Sequence, residues 1–191
     1  GFSILKVKVG KTPAEDVERV LAIRKAVGPE ITLRVDANQG WTAKEAVKII
    51  SQLEDKGADI ELVEQPVHYS DVRGMQYVTS NTYTNILADE SVFSPKQAIE
   101  VIEKRAADLI NIKLMKTGGI SKAQQINQIA EANGVACMIG CMLETKISVS
   151  AAAHFAAANK NVTMVDLDGP SLCSEDPIEG GPIFEGENIQ M

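Results

Sequence analysis

The chain has 191 residues, of which 45% are hydrophobic and 24% charged, with a net charge of −7. That balance suits a folded α/β or similar globular chain with one sizeable core and argues against disorder. An acidic chain with 4% aromatic residues carries no electrostatic footprint for nucleic acid or an anionic membrane surface, so neither partner is expected.

No run of about 18 apolar residues and no basic, apolar leader is visible, and a cytoplasmic protein is therefore expected. Cys137, Cys141 and Cys173 are odd in number and lack a CxxC spacing, which predicts reduced, structural thiols rather than disulfides or a zinc site.

The first predicted strand, near 4–9, reads LKVKVG and carries Lys6 and Lys8 on one face. A helix over 13–27 follows, opened by Thr12 and Pro13 and stopped by Gly28. The second strand, 31–36, ends on Asp36 of LRVDANQGW, and the helix over 43–56 starts after Thr42 and stops at Gly57. The third, 60–64, ends on Glu64 of ELVEQP ahead of a helix over 71–79. The fourth, 85–88, leads into Asp89 of ILADES, and a helix over 95–105 begins behind Ser94. The fifth, 108–113, ends on Lys113 of LINIKLMKTGG, and the next helix, 121–133, begins at Ser121 and stops at Gly134. A sixth strand, 135–140, runs into the Ala-rich helix 144–158; a seventh, 162–167, ends in VDLDGP, with irregular chain from Gly169 onward.

Five successive strand ends thus carry a base, three acids and a base, at intervals of 28, 28, 25 and 24 residues. Such intervals match one βα unit, and a βα barrel gathers its strand ends around one mouth. An open sheet would spread the same five ends over about 20 Å. No GxGxxG or GxxxxGK[ST] follows a strand, which removes the usual nucleotide reason for an open sheet. The expectation is an α/β, TIM-like barrel domain over residues 1–191 that lacks its first strand, an excised part of a longer protein.

In a ring of eight strands, Lys8 and Lys113 stand on opposite sides of the mouth. Asp36, Glu64 and Asp89 between them are hard oxygen donors without imidazole or thiolate, a set that suits Mg²⁺. Three crowded carboxylates repel one another, so a cation is needed electrostatically as well. A metal on one wall with two lysines facing across it suits a carboxylate substrate whose α-carbon lies between the amines. Lys6 shares the face of Lys8 and is given a supporting catalytic role, and Lys116 a lesser one near Lys113. Asp166 and Asp168 are placed on one face by the two-residue period, where they would hold an ammonium group at the far end of the substrate. Asn38 and Gln65 are candidates to brace the metal ligands. Glu90 is expected to point away from Asp89, Glu144 to line the pocket or serve the helix that follows, and Trp41 to pack.

These residues resemble the enolase superfamily, and within it the muconate-lactonising-enzyme subgroup, over essentially the whole chain. KVK at 6–8 is similar to its KxK strand motif; Asp36 of DAN, Glu64 of VEQP and Asp89 of ADES match its three Mg²⁺ ligands; Lys113 matches the opposing lysine. DLD at 166–168 resembles the DxD motif of the subgroup's dipeptide epimerases. The resemblance implies a (β/α)7β barrel domain that works with an N-terminal capping domain of the same protein, in a family that often forms homo-oligomers. It implies 1,1-proton transfer through an enediolate, inverting the C-terminal residue of a dipeptide such as L-Ala-D/L-Glu. A cycloisomerase or o-succinylbenzoate synthase of the same subgroup would use the same lysines and metal, but its substrate carries no ammonium for the DLD. A metal-binding module without turnover would need neither Lys8 nor Lys113.

Overall fold

Short strands rich in Val, Ile and Leu alternate with helices that pack against the sheet. The computed structural model describes residues 1–175 and 178–191. Along the chain run β1 (Ile4–Lys8), α1 (Pro13–Val27), β2 (Thr32–Asp36), α2 (Ala43–Asp55), β3 (Ile60–Glu64), α3 (Val72–Ser80), β4 (Asn85–Ala88) and α4 (Pro95–Glu103). Then come β5 (Leu109–Lys113), α5 (Leu114–Thr117), α6 (Ile120–Ala132), β6 (Ala136–Gly140), α7 (Lys146–Ala158), β7 (Val162–Asp166), a 3-10 turn (Gly169–Leu172) and the pair β8 (Ile183–Glu185) and β9 (Asn188–Gln190).

Strand order follows the chain from β1 to β7. The pairs β1–β2, β2–β3, β3–β4, β5–β6 and β6–β7 are all parallel, as the βα repeat predicts. The chain divides into two compact units. The N-terminal unit comprises Phe2–Ser91 with Val101–Asp108; the C-terminal unit comprises Gly1, Val92–Glu100 and Leu109–Met191.

In the N-terminal unit Leu33, Val35, Val63, Ile86, Ile50, Met75 and Val78 are fully buried. Each such side chain stabilises the fold by about 1.5–3 kcal/mol. Where the strands start, Arg24 reaches from α1 and donates to four carbonyls, those of Gly28, Ile31, Ala58 and Asp59, at 2.7–2.8 Å. Where they end, the loops after β1 and β2 meet backbone to backbone. A Cβ on Gly40 would lie 2.2 Å from the Gly10 carbonyl oxygen, and one on Gly10 equally close to that of Ala37. Asp16, almost fully buried, ties both loops to α1: it accepts from the Gly10 N–H at 2.9 Å, the Trp41 indole at 3.0 Å and Arg19 at 2.8 Å. Trp41 is therefore a packing residue.

The C-terminal unit packs Ile110, Ile112 and Ile139 against Ala123, Ile126, Ala130 and Val149, all fully buried. Three features depart from the sequence expectation. Helix α6 begins at Ile120 behind Gly119 rather than at Ser121, and Gly119 has φ 108, a conformation Gly adopts without strain. The single-turn α5 follows Lys113 directly, too short for a periodic signal. The tail is not wholly irregular, since β8 and β9 form an antiparallel pair turned at Gly186, which has φ 59. Among the described residues, no helix is long and apolar enough to cross a membrane.

Candidate active site

Register decides which strand-end side chains share a face. In the N-terminal unit Lys8 is the cross-strand partner of Asp36, and Asp36 of Glu64. Glu64 pairs with Leu87, and Asp89 lies two residues beyond Leu87. Parallel partners point the same way, so Lys8, Asp36 and Glu64 form one row with Asp89 two residues, one full pleat repeat, further along. Lys6 and its partner Arg34 form the row beneath. A register shift after Leu33 leaves Glu61 as an extra residue in β3, and Arg34 Nε donates to its carboxylate at 2.5 Å.

Asp36, Glu64 and Asp89 are each 3% exposed or less. Buried carboxylates require compensation. Lys8 Nζ lies 2.5 Å from Asp36 Oδ2, and Lys6 Nζ 3.5 Å from Glu64 Oε2. Among the described residues, no three His, Cys, Asp or Glu side chains converge closely enough to hold a metal ion. The donor set itself, three oxygen ligands on adjacent strand ends, fits a hard divalent cation.

The loops that carry the acids are braced. The Asn38 N–H donates to Asp36 Oδ1 at 2.8 Å, with Asn38 at φ 45. The Asn38 amide donates to Glu90 Oε1 at 2.7 Å, which draws Glu90 across to the loop after β2 rather than outward. Gln65 is fully buried. Its amide oxygen accepts from the N–H of Asp89 at 2.9 Å and of Ser91 at 3.1 Å, and its amide nitrogen donates to Val67 O and Ser91 Oγ. Both polar atoms of this side chain thus bond to the Asp89–Ser91 segment, and the nitrogen also to the loop after β3.

In the C-terminal unit Lys113, Gly140 and Asp166 are register partners and form the corresponding row. Lys113 is 6% exposed. Lys116, expected near it, turns back and donates to the Asn111 carbonyl at 2.8 Å, with its ammonium 5.7 Å from the centre of the Phe93 ring. The strand that would have set Asp166 and Asp168 on one face ends at Asp166. Asp168 has φ −81 and ψ −5 and opens the 3-10 turn. Both carboxylates nonetheless act on the end of β6: the Cys141 thiol is pushed up to about 11, chiefly by burial and also by Asp166, Asp168 and Glu144, against a hydrogen bond with the Gly169 backbone that lowers it. Glu144 is itself buried, accepting from the Met142 N–H at 2.8 Å and from the Ser148 hydroxyl, so it shapes the loop after β6. Sequence reasoning missed Arg34, Asn111 and Gly140. All three lie inside strands and show their place only through register.

Residues 1–191 match the family described as Enolase C-terminal domain-like. The chain belongs to this family. It is 56% identical over 192 residues to the L-Ala-D/L-Glu epimerase of Bacillus subtilis, covering 100% of this chain and 52% of that protein. It is 53% identical over 190 residues to the hydrophobic dipeptide epimerase of Enterococcus faecalis, covering 99% of this chain and 53% of the relative. A substrate-liganded structure of the L-Ala-D/L-Glu epimerase from B. subtilis superposes with a TM-score of 0.98 at 55% identity, over 100% of this chain and 54% of that one. The dipeptide epimerase from E. faecalis, complexed with Mg and L-Leu-L-Tyr, gives a TM-score of 0.93 at 54% identity, over 96% and 51%. This enolase-family chain therefore spans about half the length of the curated relatives it matches.

Proposed function

We propose that this chain is the catalytic barrel part of a Mg²⁺-dependent dipeptide epimerase that inverts the α-carbon of the C-terminal residue. The observation that carries the reading is the pair of rows that end sets of adjacent parallel strands: Lys8 beside Asp36 and Glu64 in one, and Lys113 with Asp166 two strands away across Gly140 in the other. Asp36, Glu64 and Asp89 would hold Mg²⁺, which supplies positive charge beside the substrate carboxylate and eases loss of the α-proton. Lys8 and Lys113 are assigned opposite faces of the α-carbon, one taking the proton and the other returning one. Lys6 supports Lys8 by occupying the same strand face two residues below. Asp166 and Asp168 bind the α-ammonium, a role the DLD motif supports. Gln65 and Asn38 brace Asp89 and Asp36.

The dipeptide is L-Ala-D/L-Glu or a related one, since relatives at 56% and 53% identity are named for L-Ala-D/L-Glu and for hydrophobic dipeptides. Choice of side chain is assigned to an N-terminal capping domain of the same protein, in keeping with relatives about twice as long. Three free cysteines suit a reducing compartment, and the cytoplasm is the location we infer.

The test is to incubate the full-length protein with Mg²⁺ and a dipeptide library in D₂O and to follow α-deuterium and epimer ratio. Exchange with inversion at the C-terminal residue is expected. Binding of Mg²⁺ without exchange on any dipeptide would overturn the reading and move the search to lactones and succinylbenzoate precursors.

A further inference from the structure

One position in the C-terminal row has no side chain. Lys8, Asp36 and Glu64 fill all three positions of the N-terminal row, whereas Gly140 stands between Lys113 and Asp166. Gly140 is not among the residues with positive φ, so backbone conformation does not call for glycine there. Glycine inside a strand weakens it and marks a close approach. A Cβ at Gly140 would lie 2.8 Å from Asn111 Oδ1, 3.1 Å from Asn111 Nδ2 and 3.2 Å from Lys113 Cε. Asn111 is fully buried and Lys113 nearly so. The Lys116 ammonium, donating to the Asn111 carbonyl, also holds the β5 backbone in place. An added methyl therefore meets the Asn111 amide first and the Lys113 stem next, and the lysine stem, as the flexible neighbour, is displaced both directly and by the amide that must give way.

We propose that Gly140 is a positioning residue for Lys113: its missing Cβ leaves the notch along which the lysine stem runs, with the Asn111 amide as the floor. This rests on the epimerase reading, in which Lys113 serves one face of the α-carbon.

Gly140→Ala in the full-length protein tests it, with α-deuterium exchange measured separately from each epimer. Exchange from the epimer served by Lys113 should fall by about 100-fold, the scale of a misplacement of about 1 Å. Exchange from the other epimer, served by Lys8, should change little. Acetic anhydride labelling, quantified peptide by peptide, gives a readout independent of turnover: Lys113 should label faster in the variant and Lys8 at its original rate. Equal loss from both epimers, or unchanged Lys113 labelling, overturns the proposal. If Gly140→Ala does not fold, Asn111→Ala takes its place, with a smaller but still one-sided loss expected and a symmetric loss or none counting against it. If the parent protein exchanges no dipeptide, the epimerase reading has failed and the labelling alone decides whether Gly140 sets the lysine.

Discussion

Gln65 is a single amide that holds both the strand end carrying Glu64 and the chain around Asp89. Its side-chain hydrogen bonds to Val67, Ser91 and Asp89 are all buried, so no water is at hand to replace them. Gln65→Ala should weaken Mg²⁺ binding by about 10–100-fold, the usual cost of losing a partner behind a metal ligand, as measured by calorimetric titration. At the same scale, Cys137 is fully buried and burial pushes its thiol up to about 12 from an ordinary 9.0. Below pH 9 both folded and unfolded chains keep that proton and the thiol adds nothing. Between about pH 9 and 12 the unfolded chain loses it first, so stability should fall as pH rises through this window. Cys137→Ala should flatten the alkaline limb of a denaturation midpoint plotted against pH. An unchanged limb would assign the loss to other groups.

The elements are held at their ends. Arg24 on α1 satisfies carbonyls of Gly28, Ile31, Ala58 and Asp59 with one planar fork, which a lysine cannot reproduce. Arg24→Lys should cost about 1–3 kcal/mol, read as a lower urea midpoint at unchanged slope. At the opposite end, Gly40→Ala meets backbone, the Gly10 carbonyl at 2.2 Å, and backbone has little freedom to yield. A destabilisation of about 1–3 kcal/mol is expected in the same assay, since overpacking here must push apart the loops after β1 and β2. Most of these elements were legible beforehand. The seven strands of the βα repeat and the helices opened by Thr42 and Ser94 come from local periodicity and capping, and Thr42 does form a reciprocal cap with Glu45. The helix α5 and the pair β8–β9 were not legible, because three or four residues are too few for a hydrophobic period to repeat.

For the whole molecule, Mg²⁺ is expected to bind the native state alone and so to raise the melting temperature. A tenfold excess over Kd should add about 1.4 kcal/mol, and Asp36→Asn should abolish the shift. A thermal scan with and without EDTA checks this. The 191-residue chain by itself should show no measurable epimerisation where the full-length protein does, because an uncovered site admits water and loses substrate orientation. Turnover by the bare chain would place substrate orientation within these residues.

Much of the candidate site follows from sequence alone. Each of Lys8, Asp36, Glu64 and Lys113 ends its strand, and Asp89 follows one closely, because the chemistry of an apolar run closing on a charge is local. Tertiary structure decided what depends on register. It put Lys8 and Lys6 onto carboxylates, turned Lys116 back to the Asn111 carbonyl, brought Glu90 to Asn38, ended β7 before Asp168 and set Gly140 against Lys113. Those facts join residues 5 to 58 apart or hinge on where a strand stops, and hydrophobic periodicity carries no information about which partner lies across the sheet.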